Sequence, residues 1–101
     1  MAEYLYNTKE QTLELISDEK IVKVQLSDLE CRLIEVLSNG RSNSWRDIAD
    51  YVYRRRSIID RSTRDISNVK SVKMKLLLKV NLSIYTAHGY GVMLNDKIYI
   101  R

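Results

Sequence analysis

Three serines in the middle of this chain are each followed, three residues on, by an acid: Ser27 with Glu30, Ser44 with Asp47, and Ser62 with Asp65. The serine hydroxyl can accept a hydrogen bond from the third backbone N–H beyond it, while the acid reaches back to the serine's own N–H. Together they satisfy donors that a starting helix otherwise leaves bare. Aspartate is the weaker partner because its side chain is shorter. Such closely spaced starts allow three short helices with brief connections, and none of the 101 residues is a proline that would interrupt them.

Periodicity fills in each helix. After Ser27, the residues Leu29, Leu33, Ile34 and Leu37 recur at helical spacing, and Asn39-Gly40 predicts a left-handed stop. After Ser44, Ile48 and Val52 with Tyr51 form an inner stripe, and the helix is expected to run into Arg54, Arg55 and Arg56, whose charge complements the negative end of the helix dipole. After Ser62, Ile66, Val69, Val72 and Leu76 fall on one face. The remainder of that helix is basic and polar.

The flanks alternate like strands. EYLYN (3–7), TLELI (12–16) and KIVKVQL (20–26) predict an amino-terminal antiparallel sheet, its hairpin turning at Ser17-Asp18-Glu19. LSIYTA (82–87), VMLND (92–96) and KIYIR (97–101) predict a hairpin and a last strand. Two of the three glycines, Gly89 and Gly91, stand on either side of Tyr90 between these runs. They predict a hairpin tip that needs positive φ and close backbone approach. The expected architecture is α+β, a winged helix-turn-helix: sheet 1–26, trihelical core 27–79, and wing hairpin with carboxy-terminal strand 82–101, all in one domain spanning 1–101.

Charge is unevenly spread. Residues 1–40 carry net −4, residues 41–79 net +7, and residues 80–101 net +1. A basic middle segment calls for a polyanionic partner. No uncharged apolar stretch approaches the roughly 20 residues that span a bilayer, and the amino end lacks the layout of a signal peptide, so a cytoplasmic protein with no membrane partner is expected. The lone Cys31 and the lone His88 offer no disulfide, and no metal or cofactor is expected. Cys31 is expected as a small buried apolar residue. With no glycine-rich phosphate loop and no nucleophile beside a base, the sequence argues against an enzyme.

The chain resembles the DNA-binding effector domain of OmpR/PhoB-type transcription regulators, also found in ToxR/CadC-type regulators. The first helix, Ser27-Asp28-Leu29-Glu30-Cys31-Arg32-Leu33-Ile34, is similar to the family's opening box. Val69-Lys70-Ser71-Val72-Lys73-Met74-Lys75-Leu76 is similar to its recognition helix, and Ile84-Tyr85-Thr86-Ala87-His88-Gly89-Tyr90-Gly91-Val92 to its wing. The family's wing arginine is His88 here, and its last wing aromatic is Val92.

The resemblance implies sequence-specific binding of double-stranded DNA, with the third helix in the major groove and the wing beside it. The DNA-facing residues expected on the third helix are Arg64, Ser67, Asn68, Lys70, Ser71, Lys73 and Lys75. Arg61 ahead of it, Ser44 at the second helix start, and Thr86, His88 and Tyr90 of the wing complete the set. The resemblance also implies an RNA polymerase contact at Arg55, Arg56, Ser57 and Ile58, and a weak or DNA-induced homodimer. Trp45 is expected as a packing residue. The competing reading is a winged helix that binds a partner protein, which an exposed apolar patch would favour over a basic face.

Overall fold

Alternation in the first strand, β1 (Glu3–Asn7), turns Tyr4 and Tyr6 into the core, where they are almost fully buried. The chain reverses at Asn7, whose Oδ1 accepts from the backbone N–H of Lys9 and Glu10, and Gln11 adopts a left-handed φ of 54°. It returns as β2 (Thr12–Leu15), antiparallel to β1 with Tyr6 opposite Leu13, and then as β3 (Lys23–Gln25). The computed structural model describes residues 2–19, 22–53, 63–87 and 90–101, with the side chains of 63–66 and 87 outside that description.

Helix α1 (Asp28–Leu37) starts at the expected capping box. The Ser27 hydroxyl accepts from Glu30 N–H, and Glu30 Oε1 accepts from Ser27 N–H at 2.8 Å. Leu33, Ile34 and Leu37 are fully buried, Leu29 is half-buried, and Gly40 follows the Ser38 cap with a left-handed φ of 72°. Glu30 is itself only 3% exposed, and Lys79 at the far end of the third helix donates to its Oε1 at 2.6 Å. Burial alone would raise the Glu30 pKa; the hydrogen bonds from Lys79 and Ser27 outweigh it and hold the carboxyl below its ordinary range.

A two-residue strand, β4 (Asn43–Ser44), leads into α2 (Trp45–Val52), capped by the Ser44 hydroxyl accepting from Asp47 N–H. Ile48, Ala49 and Val52 face the core, and the half-buried Tyr51 hydroxyl donates to Glu35, as does that of Tyr6. The helix is shorter than expected. It ends at Val52 with Tyr53 as its cap, so the dipole role assigned to Arg54, Arg55 and Arg56 falls on residues outside the described ones. Arg32 of α1 reaches that end, donating to the Val52 carbonyl at 2.9 Å.

Helix α3 (Thr63–Lys79) buries Val69, Val72 and Leu76; Ser62 and the side chains of Asp65 and Ile66 lie outside the described residues. Three strands follow: β5 (Ile84–Ala87), β6 (Gly91–Leu94) and β7 (Lys97–Ile100). β5 and β6 form the hairpin, and β4 pairs along the free side of β6 in the order β4-β6-β5. β7 leaves that sheet and pairs parallel with β1, giving a four-stranded sheet in the order β3-β2-β1-β7. Cys31 is buried as expected, and burial pushes its thiol pKa up.

Gly91 bears out the expected close backbone approach and corrects the expected positive φ. Among the described residues Gly40 is the glycine with positive φ; Gly91 is required for space instead, because it lies against the backbone of Asn43. Gly89 is outside the described residues.

Asp96 ties the two sheets together. It is 8% exposed, and its carboxylate accepts from Ala2 N–H at 3.1 Å and from Ser83 N–H at 2.6 Å. Asp96→Ala leaves two donors without this acceptor and is expected to cost about 2 kcal/mol, seen as a lower thermal midpoint. An unchanged midpoint would show that water replaces the carboxylate.

Candidate nucleic-acid interface

Because Val69, Val72 and Leu76 fix the roll of α3 against the core, its opposite side faces outward. Ser67, Asn68, Lys70, Ser71 and Lys75 are exposed, and Lys73 is half-buried. The Ser71 hydroxyl donates back to the Ser67 carbonyl at 3.2 Å, which leaves its lone pairs free to accept. Met74 (57% exposed) and Leu78 (86% exposed) add apolar surface further along the helix. For Arg64 only the helical position is described, not the side chain.

At one flank of this surface stands Trp45, the first residue of α2. Its backbone N–H donates to the Tyr90 carbonyl at 3.0 Å, which joins the start of α2 to the tip of the β5–β6 hairpin. Its ring packs partly against the core. The ammonium groups of Lys70 and Lys73 lie over that ring, 5.0 and 5.3 Å from its centroid, within cation–π range. One side chain therefore connects the second helix, the basic flank of the third and, through its own backbone, the hairpin.

This arrangement refines the reading of Trp45 as a packing residue. No local pattern around Trp45 marks it as a partner for lysines about 25 residues later. The relevant sequence signal is the three-residue spacing of Lys70 and Lys73, which puts both on one flank of a helix.

Ser44 is half-buried, and its hydroxyl is engaged as the α2 cap. On the hairpin, Thr86 and Tyr90 are exposed, as is Tyr85, which the sequence did not single out. His88, Arg61 and the four residues assigned to polymerase contact, Arg55, Arg56, Ser57 and Ile58, lie outside the described residues. Among the described residues, no group of three His, Cys, Asp or Glu is placed to hold a metal ion, and no helix is long and apolar enough to cross a membrane.

No protein-family model matches the chain, and no curated protein sequence does. Among solved structures, the DNA-binding domain of Bacillus subtilis CssR superimposes with a TM-score of 0.70 at 20% identity, covering 90% of this chain and 98% of that one. The fold is a winged helix. In its terms β5 and β6 are the wing, α3 is the third helix of the core, and β1 to β3 with β7 form the sheet that precedes and closes the helical core. The winged helix thus places the wing tip beside the Trp45 end of α2, along the basic flank of α3.

Proposed function

We propose that this chain is a transcription regulator that binds double-stranded DNA sequence-specifically, with α3 in the major groove and the wing on the adjacent backbone or minor groove. The observation that carries this reading is the shared surface of wing and basic helix: Lys70 and Lys73 converge on Trp45, whose N–H is bonded to the wing tip. Exposed Asn68 and Ser71 on α3 supply groups able to bond base edges. The fold shared with the CssR DNA-binding domain supports the same reading.

The proposal includes a cytoplasmic protein, a single domain over 1–101, and weak or DNA-induced dimerisation, since one small module reads few bases. Arg64, Arg61, Lys75, Thr86, His88 and Ser44 belong to the proposed DNA surface, and Arg55, Arg56, Ser57 and Ile58 to a proposed polymerase contact.

A salt titration on mixed-sequence duplex DNA, followed by fluorescence anisotropy, tests the central claim. Affinity is expected to fall steeply with salt, and Lys70→Ala/Lys73→Ala to make the log–log slope shallower by about 0.9 per lysine removed. Absence of binding at about 50 mM salt, where a protein with several phosphate contacts binds detectably, would remove the DNA reading.

One observation favours a second reading, a winged helix that acts on a partner protein. Leu78 and Met74 are exposed one turn apart on α3, and Leu78 borders an open groove of about 430 Å³ with Leu29, Val72, Lys75 and Lys79. Failure to bind DNA would make this groove the leading site.

A further inference from the structure

The two lysines over Trp45 differ in setting from the other polar residues of α3. Asn68, Ser71 and Lys75 are exposed on the outward side of the helix. Lys70 and Lys73 instead share one aromatic ring at the flank that meets α2 and the wing tip. A lysine ammonium is a strongly hydrated point charge on a flexible stem, suited to a phosphate and poorly suited to planar base recognition.

A lysine that must be immobilised on binding loses rotamer freedom at that moment, and one already resting on a ring loses less. Two ammoniums held near one ring also repel each other, and an anion placed between them relieves that repulsion. The positive end of α2, which begins at Trp45, acts in the same direction.

We infer that Trp45 is a positioning residue for phosphate recognition: its ring holds Lys70 and Lys73 as a pair of backbone contacts, leaving Asn68 and Ser71 as the groups that read bases. This rests on the DNA-binding reading above. It keeps Lys70 and Lys73 as phosphate contacts, and it gives Trp45 a role carried through the lysines rather than through direct contact with DNA.

The test is a double-mutant cycle on mixed-sequence duplex DNA at several salt concentrations, with folding checked by thermal melting. Trp45→Leu is expected to weaken binding about tenfold, the effect of freeing two long side chains that must then be ordered. The salt slope should stay at the wild-type value, because no charge is lost. In the Lys70→Ala/Lys73→Ala background the same Trp45→Leu change is expected to alter affinity by less than about twofold, because there is no longer a lysine to position.

A merely structural tryptophan gives a different result: the same loss in both backgrounds. That outcome overturns the inference while leaving DNA binding intact. Should Trp45→Leu fail to fold, Trp45→Phe carries the cycle. It keeps a smaller ring with a weaker cation–π face, and a loss of about threefold that disappears in the lysine-free background is expected. A loss that persists there overturns the inference as before. A wild-type protein that does not bind DNA at all fails at an earlier step and removes the DNA reading itself.

Discussion

Gly91→Ala is expected to lower stability by about 3 to 4 kcal/mol, among the largest effects of any single methyl group in this chain. Gly91 is buried in β6, paired with Ser44 of β4 on one side and Ala87 of β5 on the other. A Cβ built there would lie 1.7 Å from the Asn43 carbonyl oxygen and 2.7 Å from the Ser44 Cα. Both are backbone atoms, so no side-chain rotation relieves the clash, and β4 must move away from β6. For a domain of this size each kcal/mol corresponds to roughly 4 °C or more in thermal midpoint. A fall of at least about 12 °C is therefore expected by circular dichroism, and one under about 4 °C would mean that the two strands separate at little cost. Because β4 runs directly into Trp45, the same movement would disturb the bond between Trp45 and the wing tip. On the proposed DNA-binding reading, affinity for DNA should fall along with stability.

The second large effect is expected at Lys79. Glu30 is almost fully buried, and among the described residues its Oε2 is a buried side-chain oxygen with no hydrogen-bond partner. Its other oxygen depends on Ser27 N–H and the Lys79 ammonium. Lys79→Met removes the only ionic partner that the structure gives Glu30 among the described residues. Breaking a fully buried pair costs about 3 to 5 kcal/mol; Lys79 is 40% exposed, so water offsets part of this and about 2 to 3 kcal/mol is expected at pH 7.

The pH dependence gives the prediction its sign. In the wild type, the Glu30 pKa is lowered by folding, so its contribution is present above the unfolded carboxyl pKa and is lost as pH falls through the folded one. Without Lys79, only the Ser27 hydrogen bonds oppose burial, so the folded pKa rises from its wild-type position. The folded variant then takes up its proton at higher pH than the folded wild type, and the deficit should shrink as the solution is acidified from pH 7 towards pH 4. A deficit that is the same at both values would assign the effect of Lys79 to packing of its alkyl stem or to its bond with the Gln25 carbonyl.

How much of this could be read from the chain depended on the range of the interactions. The Ser27–Glu30 box and the Asn39-Gly40 stop are local, and both ends of α1 came out where periodicity and capping put them. The buried stripe of α3 at Val69, Val72 and Leu76 is likewise a property of spacing alone. What sequence reading missed depends on pairings between distant residues. The strand Asn43–Ser44 is two residues long and exists because β6 lies beside it. The need for glycine at 91 was legible, but its cause is the Asn43 backbone rather than the local turn. α2 ends at Val52, and among the described residues a guanidinium at its end comes from Arg32 of another helix. The basic and polar face of α3 was visible in sequence, whereas the division of that face by Trp45 required the packing of α2 against α3.

The parallel pairing of β1 with β7 has a mechanical consequence. Glu3 lies beside Lys97 and Tyr6 beside Ile100, so the two outermost strands of the sequence run side by side in the same direction. Tension applied between residues 2 and 101 would pull these strands past one another along their length. Every rung of the ladder between them would then resist together, in shear, instead of opening one after another like a zip. A winged helix held this way should withstand a pull on its two ends better than a pull across the tip of its wing, where the β5–β6 hairpin would peel one bond at a time.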